Sequence, residues 1–223
     1  KLALPIAAVD KATVQGTVTL SGNDIQITPG TPRLSRARGT VGFTETGITV
    51  TGGQARALGG DVRIEGGLQA SPGAALAAGA KPLPTVLRIQ GTASAEGLRQ
   101  ARELGFVARL AQHASGASPY TATLGVRAGV PELVVNSTLA GMALSLPAPF
   151  SKTAEQVLPL RLETAAVRTS IKPNTSGHAA AAQDQLSLEV GRLLRLDYVR
   201  DISGADARVL RGAIAVGLAP DES

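Results

Sequence analysis

Apolar residues recur at alternate positions in run after run along this chain, and glycine, proline or short polar clusters cut one run from the next. Val18 and Leu20 alternate with threonines, the "SGND" of residues 21–24 reads as a turn, and Ile25 and Ile27 resume the pattern. Val41 and Phe43 lead into a second turn near Thr46 and Gly47; Ile48 and Val50 follow it, and then Val62, Ile64 and Leu68. Successive side chains of a strand point to opposite faces, so a period of two gives each strand one apolar and one polar side. Tight turns between closely spaced runs make neighbouring strands antiparallel.

The stretch "GITVTGGQARALGGDVRIEGGL", residues 47–68, is on this reading a hairpin framework. Gly59-Gly60 is expected to supply the positive φ angles that a two-residue turn demands. The alternation returns in Leu87 and Ile89, in Leu124 and Val126, in Leu133, Val135 and Leu139, and in Met142, Leu144 and Leu146. Later copies are Leu158, Leu160 and Leu162, then Leu186, Leu188 and Val190, and finally Leu210, Ile214 and Val216.

One segment follows a different period. Ala101, Leu104, Ala108 and Ala111 recur at helical spacing, which predicts a helical insert over about 95–113, with Ser94 as its N-cap and Gly105 dividing it. Residues 171–185, polar, small and aperiodic, read as a loop or boundary between sheet sections.

A sheet with one consistently apolar face must cover it with a second sheet, close into a barrel, or bind something that is not protein. Three Phe, two Tyr and no Trp are too few for the aromatic girdles of an outer-membrane barrel. Leu, Val, Ile and Ala make a smooth aliphatic surface instead. The expected fold is mainly β: a curled antiparallel sheet, an open groove or trough of jelly-roll-like character, with one short helical insert. Residues 1–223 read as a single section of a repeated β-groove protein. A closed sandwich or β-solenoid would use the same alternation but fill its own core.

The charged residues mark no catalytic arrangement. Twenty-two Lys and Arg against 17 Asp and Glu leave a net charge of +5, scattered apart from Arg33, Arg36 and Arg38. Nucleic-acid binding wants a denser stripe and aromatic stacking platforms, so no nucleic-acid partner is expected. Anionic lipid surfaces suit such a balance better. His113 and His178 have no acid or Cys at ligand spacing, there is no Gly-x-Ser-x-Gly around Ser118 or Ser137, and the absence of cysteine excludes thiol chemistry. Glu45, Asp61, Glu65, Asp184, Glu189, Asp197 and Asp201 are dispersed and read as surface charges. No metal or cofactor is expected. No run approaches the 18 or so apolar residues of a membrane helix, and the chain opens on Lys1 rather than Met, as an excised piece of a longer protein would.

Two motifs carry a family resemblance. Ala55-Arg56-Ala57-Leu58-Gly59-Gly60 resembles the repeated strand-turn element of the AsmA-like proteins of Gram-negative envelopes. More specific is "STLAGMALSLPAPFSKTAEQVLPL", Ser137 to Leu160, whose Ser-x-Leu-x-Gly, Leu-Pro-x-Pro, Lys and Pro-Leu steps are similar to a segment of the YhdP branch of that family. With "GTASAEGLR" ahead of the helix, the resemblance covers most of residues 40–162. It implies a periplasmic protein, anchored in the inner membrane by a segment absent here, whose β-sheet units curl into a groove that conducts phospholipid toward the outer membrane. It implies no catalytic residues. The expected partners are phospholipid or another acyl lipid, the rest of the longer chain, and other envelope proteins.

On that reading the lipid-facing residues are Ile48, Val50, Val62 and Ile64 in the first meander, then Leu124, Val126, Leu133, Val135, Leu139, Met142, Leu144 and Leu146. Leu158, Leu160, Leu162, Leu186, Leu188, Leu210, Ile214 and Val216 continue the set. Pro147 has no amide hydrogen and must end a strand or lie at an edge, and Lys152 is the candidate for a headgroup contact at the rim.

Overall fold

The computed structural model describes residues 2–3, 13–27, 31–45, 47–69, 86–127, 130–167, 183–204 and 208–217. Strand β1 is Leu2–Ala3, β2 Thr13–Ile25, β3 Leu34–Thr44, β4 Gly47–Ala57, β5 Gly60–Gln69, β6 Val86–Ser94 and β7 Ala114–Arg127. Then come β8 (Val130–Ser137), β9 (Met142–Leu144), β10 (Leu160–Ala166), β11 (Gln183–Val190), β12 (Leu194–Asp201) and β13 (Arg208–Val216). All but β9 lie along one path in sequence order, each antiparallel to the next, with β1 and β13 as the two edges. The sheet is open. β9 pairs instead with the start of β7, Ala114 to Gly116.

Register turns the alternation of single strands into continuous faces. Ile64 lies opposite Ile89, Ile89 opposite Ala122, and Ala122 opposite Val135. The row continues through Leu162, Leu188 and Leu196 to Ile214. One step along the strands, Arg63, Gln90, Thr121, Asn136, Arg161, Glu189 and Arg195 form a polar row on the other face. Directly opposed residues of an antiparallel pair share a face, so neither row changes sides between β5 and β13.

Glycine keeps the first meander in phase. Val50 opposes Gly66 and Gly53 opposes Ile64, so β4 carries one more residue than β5 between those pairs. This bulge, with Gly52 at φ 62° and its amide donating to the Glu65 carboxylate at 2.8 Å, puts even-numbered Ile48 and Val50 on the same face as odd-numbered Ala55 and Ala57. Each bulge adds local twist, which curls the sheet.

Two turn expectations are corrected. The hairpin between β4 and β5 turns on Leu58 (φ 53°) and Gly59 (φ 80°), while Gly60 is already the first residue of β5, opposite Ala57. Gly60 answers a different need: a Cβ there would lie 2.0 Å from the Thr92 carbonyl oxygen. "SGND" does not reverse the chain. Ser21 to Ile25 remain in β2, where Gly22 (φ 115°) takes up a register shift and the Asn23 side chain accepts from the Ser21 amide at 3.0 Å. Of the second turn, Thr46 lies outside the described residues, as do 171–182 of the expected loop; Gln183, Asp184 and Gln185 open β11.

The helical insert forms where its spacing places it. Helix α1 spans Ala95–Gln100 and α2 spans Phe106–Leu110, with single 3-10 turns at Arg102–Leu104 and Ala111–His113. Ser94 caps α1 by accepting from the Gly97 amide at 3.0 Å, and its own amide donates to the Leu58 carbonyl at 2.9 Å, tying the insert to the β4–β5 turn. Gly105, at φ 54°, separates the helices.

Burial gathers in two small clusters. Ala37, Ala55, Ala57 and Val62 pack with Leu20, Ile25, Leu34, Leu58, Ile64 and Ile89; Ala95, Ala114 and Met142 pack with Leu98, Leu139 and Leu144. Among the described residues no large side chain is fully buried, whereas a sandwich packs a second sheet about 10 Å away and buries such side chains.

The contact between insert and turn is testable. Ser94→Ala should cost about 1 kcal/mol through the lost cap. Gly97→Ala, which in a free helix would be favourable by about 1 kcal/mol, should here destabilise, because its Cβ would lie 2.0 Å from the Leu58 carbonyl carbon. Urea midpoints check both, and a raised midpoint for Gly97→Ala would contradict this packing.

Candidate functional site

The dominant surface feature is the apolar sheet face. Register places Ile48, Val50, Val62, Ile64, Leu124, Val126, Leu133 and Val135 on it. Leu160, Leu162, Leu186, Leu188, Ile214 and Val216 share the same face through β10 to β13. Leu194, Leu196 and Tyr198 of β12 complete it, opposite Val190, Leu188 and Leu186. Those three were missed by the sequence reading, although Leu194, Leu196 and Tyr198 alternate with Arg195, Asp197 and Val199. Toward the β13 edge the face is in water: Ile214 and Val216 are 59% and 57% exposed.

Several other candidates lie elsewhere. Leu139, Met142 and Leu144 belong to the cluster beside the helical insert. The alternation of 142–144 does make a strand, but β9 pairs with the foot of β7 instead of extending the ladder beyond β8, so its side chains meet Ala95 and Ala114. Leu146 follows β9 outside any strand. Leu158 precedes β10, its amide donating to the Thr138 carbonyl at 2.8 Å and its side chain lying over Gly191. Leu210 falls at the register shift of β13, between Arg211, which opposes Val199, and Val209, which opposes Arg200.

Lys152, the candidate rim contact, is 7% exposed. Its ammonium donates to the carbonyls of Leu139 (2.8 Å), Met142 (2.6 Å) and Thr153 (2.8 Å). An ammonium has three N–H donors, and all three are engaged by carbonyls within the chain, so Lys152 fastens the segment around β9. Burial lowers its pKa, with Glu155 nearby acting in the opposite direction.

Polar groups are mostly paired on the opposite face. Arg161 meets Glu163 at 2.7 Å, and Arg195 meets Glu189 at 3.3 Å and Asp197 at 3.0 Å. The Ser187 hydroxyl, donating at 2.6 Å, and Arg195 hold the Asp197 carboxyl below its ordinary pKa. A hollow of about 470 Å³ on this side has Thr121, Asn136, Arg161 and Glu189 among its lining residues.

Asp184 departs from the surface reading. It is 5% exposed and lies on the apolar face, at the end of β11, where Arg200 of β12 holds both its oxygens, Nε at 2.9 Å and Nη2 on the other. Buried charge persists where it is paired in this way.

Among the described residues the two serines bond to each other and to the backbone. Ser118 and Ser137 share a 3.2 Å hydrogen bond, and the Ser137 hydroxyl also lies 2.8 Å from the Pro119 carbonyl. His113 is exposed at the end of the insert, and His178 lies outside the described residues. Among the described residues no three His, Cys, Asp or Glu side chains gather as metal ligands, and no helix is long and apolar enough to cross a membrane.

The structural role of Lys152 gives a direct test. Lys152→Met should destabilise by about 2 kcal/mol or more, leaving buried carbonyls without a donor, while exposed Arg161→Met should stay within about 1 kcal/mol. Equal urea midpoints for the two variants would overturn the assignment.

Comparison with curated proteins and with solved structures returns no match. A family model described as YhdP protein matches residues 1–222. An open antiparallel sheet with one largely aliphatic face agrees with the resemblance in the strand-turn and Leu-Pro-x-Pro segments, and the chain belongs to the YhdP family.

Proposed function

We propose that this chain is a non-enzymatic section of an envelope lipid conduit, whose apolar sheet face holds phospholipid acyl chains in transit between the inner and outer membranes. The observation that carries the reading is the apolar row from Ile64 to Ile214, which crosses the sheet with no second layer over it among the described residues. Membership of a family associated with lipid transport in the envelope supports it. The periplasm is the compartment this implies, with the rest of a longer chain supplying the anchor and further sections of the conduit.

The physical chemistry is passive. A buried CH₂ is worth about 0.8 kcal/mol, so a lipid with about 30 of them gains up to roughly 24 kcal/mol against the face. A bilayer gives it nearly the same. Movement along a continuous aliphatic surface is then close to thermoneutral, and its direction comes from outside this section. Headgroups remain in water along the strand ends.

Substitution in the central row separates a lipid-bearing face from a packed core. Leu162→Asp or Leu188→Asp places a carboxylate where acyl chains would lie, at a cost of several kcal/mol when they cover it. With the face open, water reaches that carboxylate and the fold survives. The expected outcome is a folded variant that retains far less phospholipid in native mass spectrometry after gentle extraction, with Leu162→Ala close to the parent. An unfolded Leu162→Asp, or undiminished lipid, would sink the proposal.

A further inference from the structure

The helical insert carries an inverted pattern. Ala101, Ala108 and Ala111 are buried at 7%, 9% and 4% exposure, while Phe106, Val107 and Leu110 stand 57%, 42% and 38% exposed. Helices of soluble domains normally turn their large apolar residues inward. Positions i, i+1 and i+4 lie within about 100° of one another around a helix, so these side chains form one outward patch on α2, with Ala108 on the opposite side.

The tip is held firmly. Arg99 of α1 donates to the carbonyls of Ala111 (3.1 Å) and Ala114 (3.0 Å) and meets Glu96 at 2.7 Å, closing the insert across its base. The exposed patch therefore belongs to a braced element rather than to a frayed end. Arg102 and Arg109 flank it, both exposed and neither in an ion pair among the described residues, against one nearby carboxylate, Glu103.

We infer that this tip is a membrane-docking element, in which Phe106, Val107 and Leu110 enter the interfacial zone of a bilayer and Arg102 and Arg109 contact anionic headgroups. The size of the patch favours a bilayer over a protein partner. A stable protein interface buries about 800 Å² on each side with roughly 20–30 residues, far beyond three side chains of a short helix. Interfacial binding has no such minimum area: it scales with the apolar surface inserted plus the attraction of basic residues to anionic lipid, so a small apolar tip with basic neighbours gives weak, reversible docking. The inference stands apart from the acyl-chain reading of the sheet face, since vesicle binding and lipid retention are separate readouts.

The test uses the full chain and co-sedimentation with vesicles of phosphatidylethanolamine and phosphatidylglycerol, with phosphatidylcholine vesicles as the uncharged comparison. The parent chain should bind the anionic vesicles. Phe106→Ser with Leu110→Ser should lower partitioning at least tenfold while the urea midpoint and the phospholipid retained by the sheet stay unchanged. Arg102→Gln with Arg109→Gln should lower it severalfold on anionic vesicles only. The chain contains no Trp, so Val107→Trp provides a lone fluorescent reporter whose emission should shift to the blue when vesicles are added, whether or not the serine variants fold. A parent chain that ignores vesicles, an unshifted emission from the Val107→Trp variant, or a concentration-dependent self-association abolished by Phe106→Ser would each overturn the inference.

Discussion

Cross-strand register is the constraint from which the rest of this molecule follows. Each strand alone has only a two-sided pattern, and a one-residue slip between any pair would send its apolar residues to the polar side. The continuity from Ile64 through Leu162 and Leu188 to Ile214 therefore requires every intervening ladder to be in phase. The reward is an aliphatic surface without internal polar interruption along that row. Polar partners such as Arg161 with Glu189, and Glu189 with Arg195, face one another on the other side and reinforce the same phase.

A sheet kept in phase still has to bend, and the bending is local. Around Thr51 and Gly52 an extra residue is absorbed in β4, Arg36 (φ 53°) and Ala37 of β3 face the single Ala55 of β4, and Gly22 marks a shift in β2. The buried cluster of Ala37, Ala55, Ala57 and Val62 lies on these same bulged strands and their neighbour β5. Small side chains suit this place because they let backbone segments approach closely. The second cluster, beside the insert, depends on different contacts: the Ser94 cap, the pairing of β9 with β7, and Lys152 holding the carbonyls of Leu139 and Met142. Order at the two places is thus obtained by close packing, backbone proximity and hydrogen bonding, and of the long apolar row Ile64 and Ile89 take part in it, packing against the first cluster.

Most strands, their antiparallel order, the helical insert, its Ser94 cap and its break at Gly105 were legible from residue patterns, because each is decided by neighbours close in sequence. The apolar face was legible in much of its extent, as in Leu160 and Leu162 or Leu186 and Leu188, but Leu194, Leu196 and Tyr198 escaped notice although they alternate as regularly. It was misread where a strand left the main ladder: Met142 and Leu144 alternate as well as any pair, yet their partner is the foot of β7. The phase change at Gly52 was equally hidden, since a bulge is defined by what the opposite strand does.

Local chemistry in the sequence by itself determined that this chain would be a β-meander with one aliphatic and one polar face, since side-chain alternation and turn residues act over a few positions. Tertiary structure decided which of those residues share a surface, because sharing depends on ladders between distant segments. It also decided that Lys152 is spent on carbonyls, that Asp184 sits paired with Arg200 on the apolar side, and that Phe106 and Leu110 point outward from the insert. Each of those outcomes rests on a contact or an exposure that no short-range rule can supply.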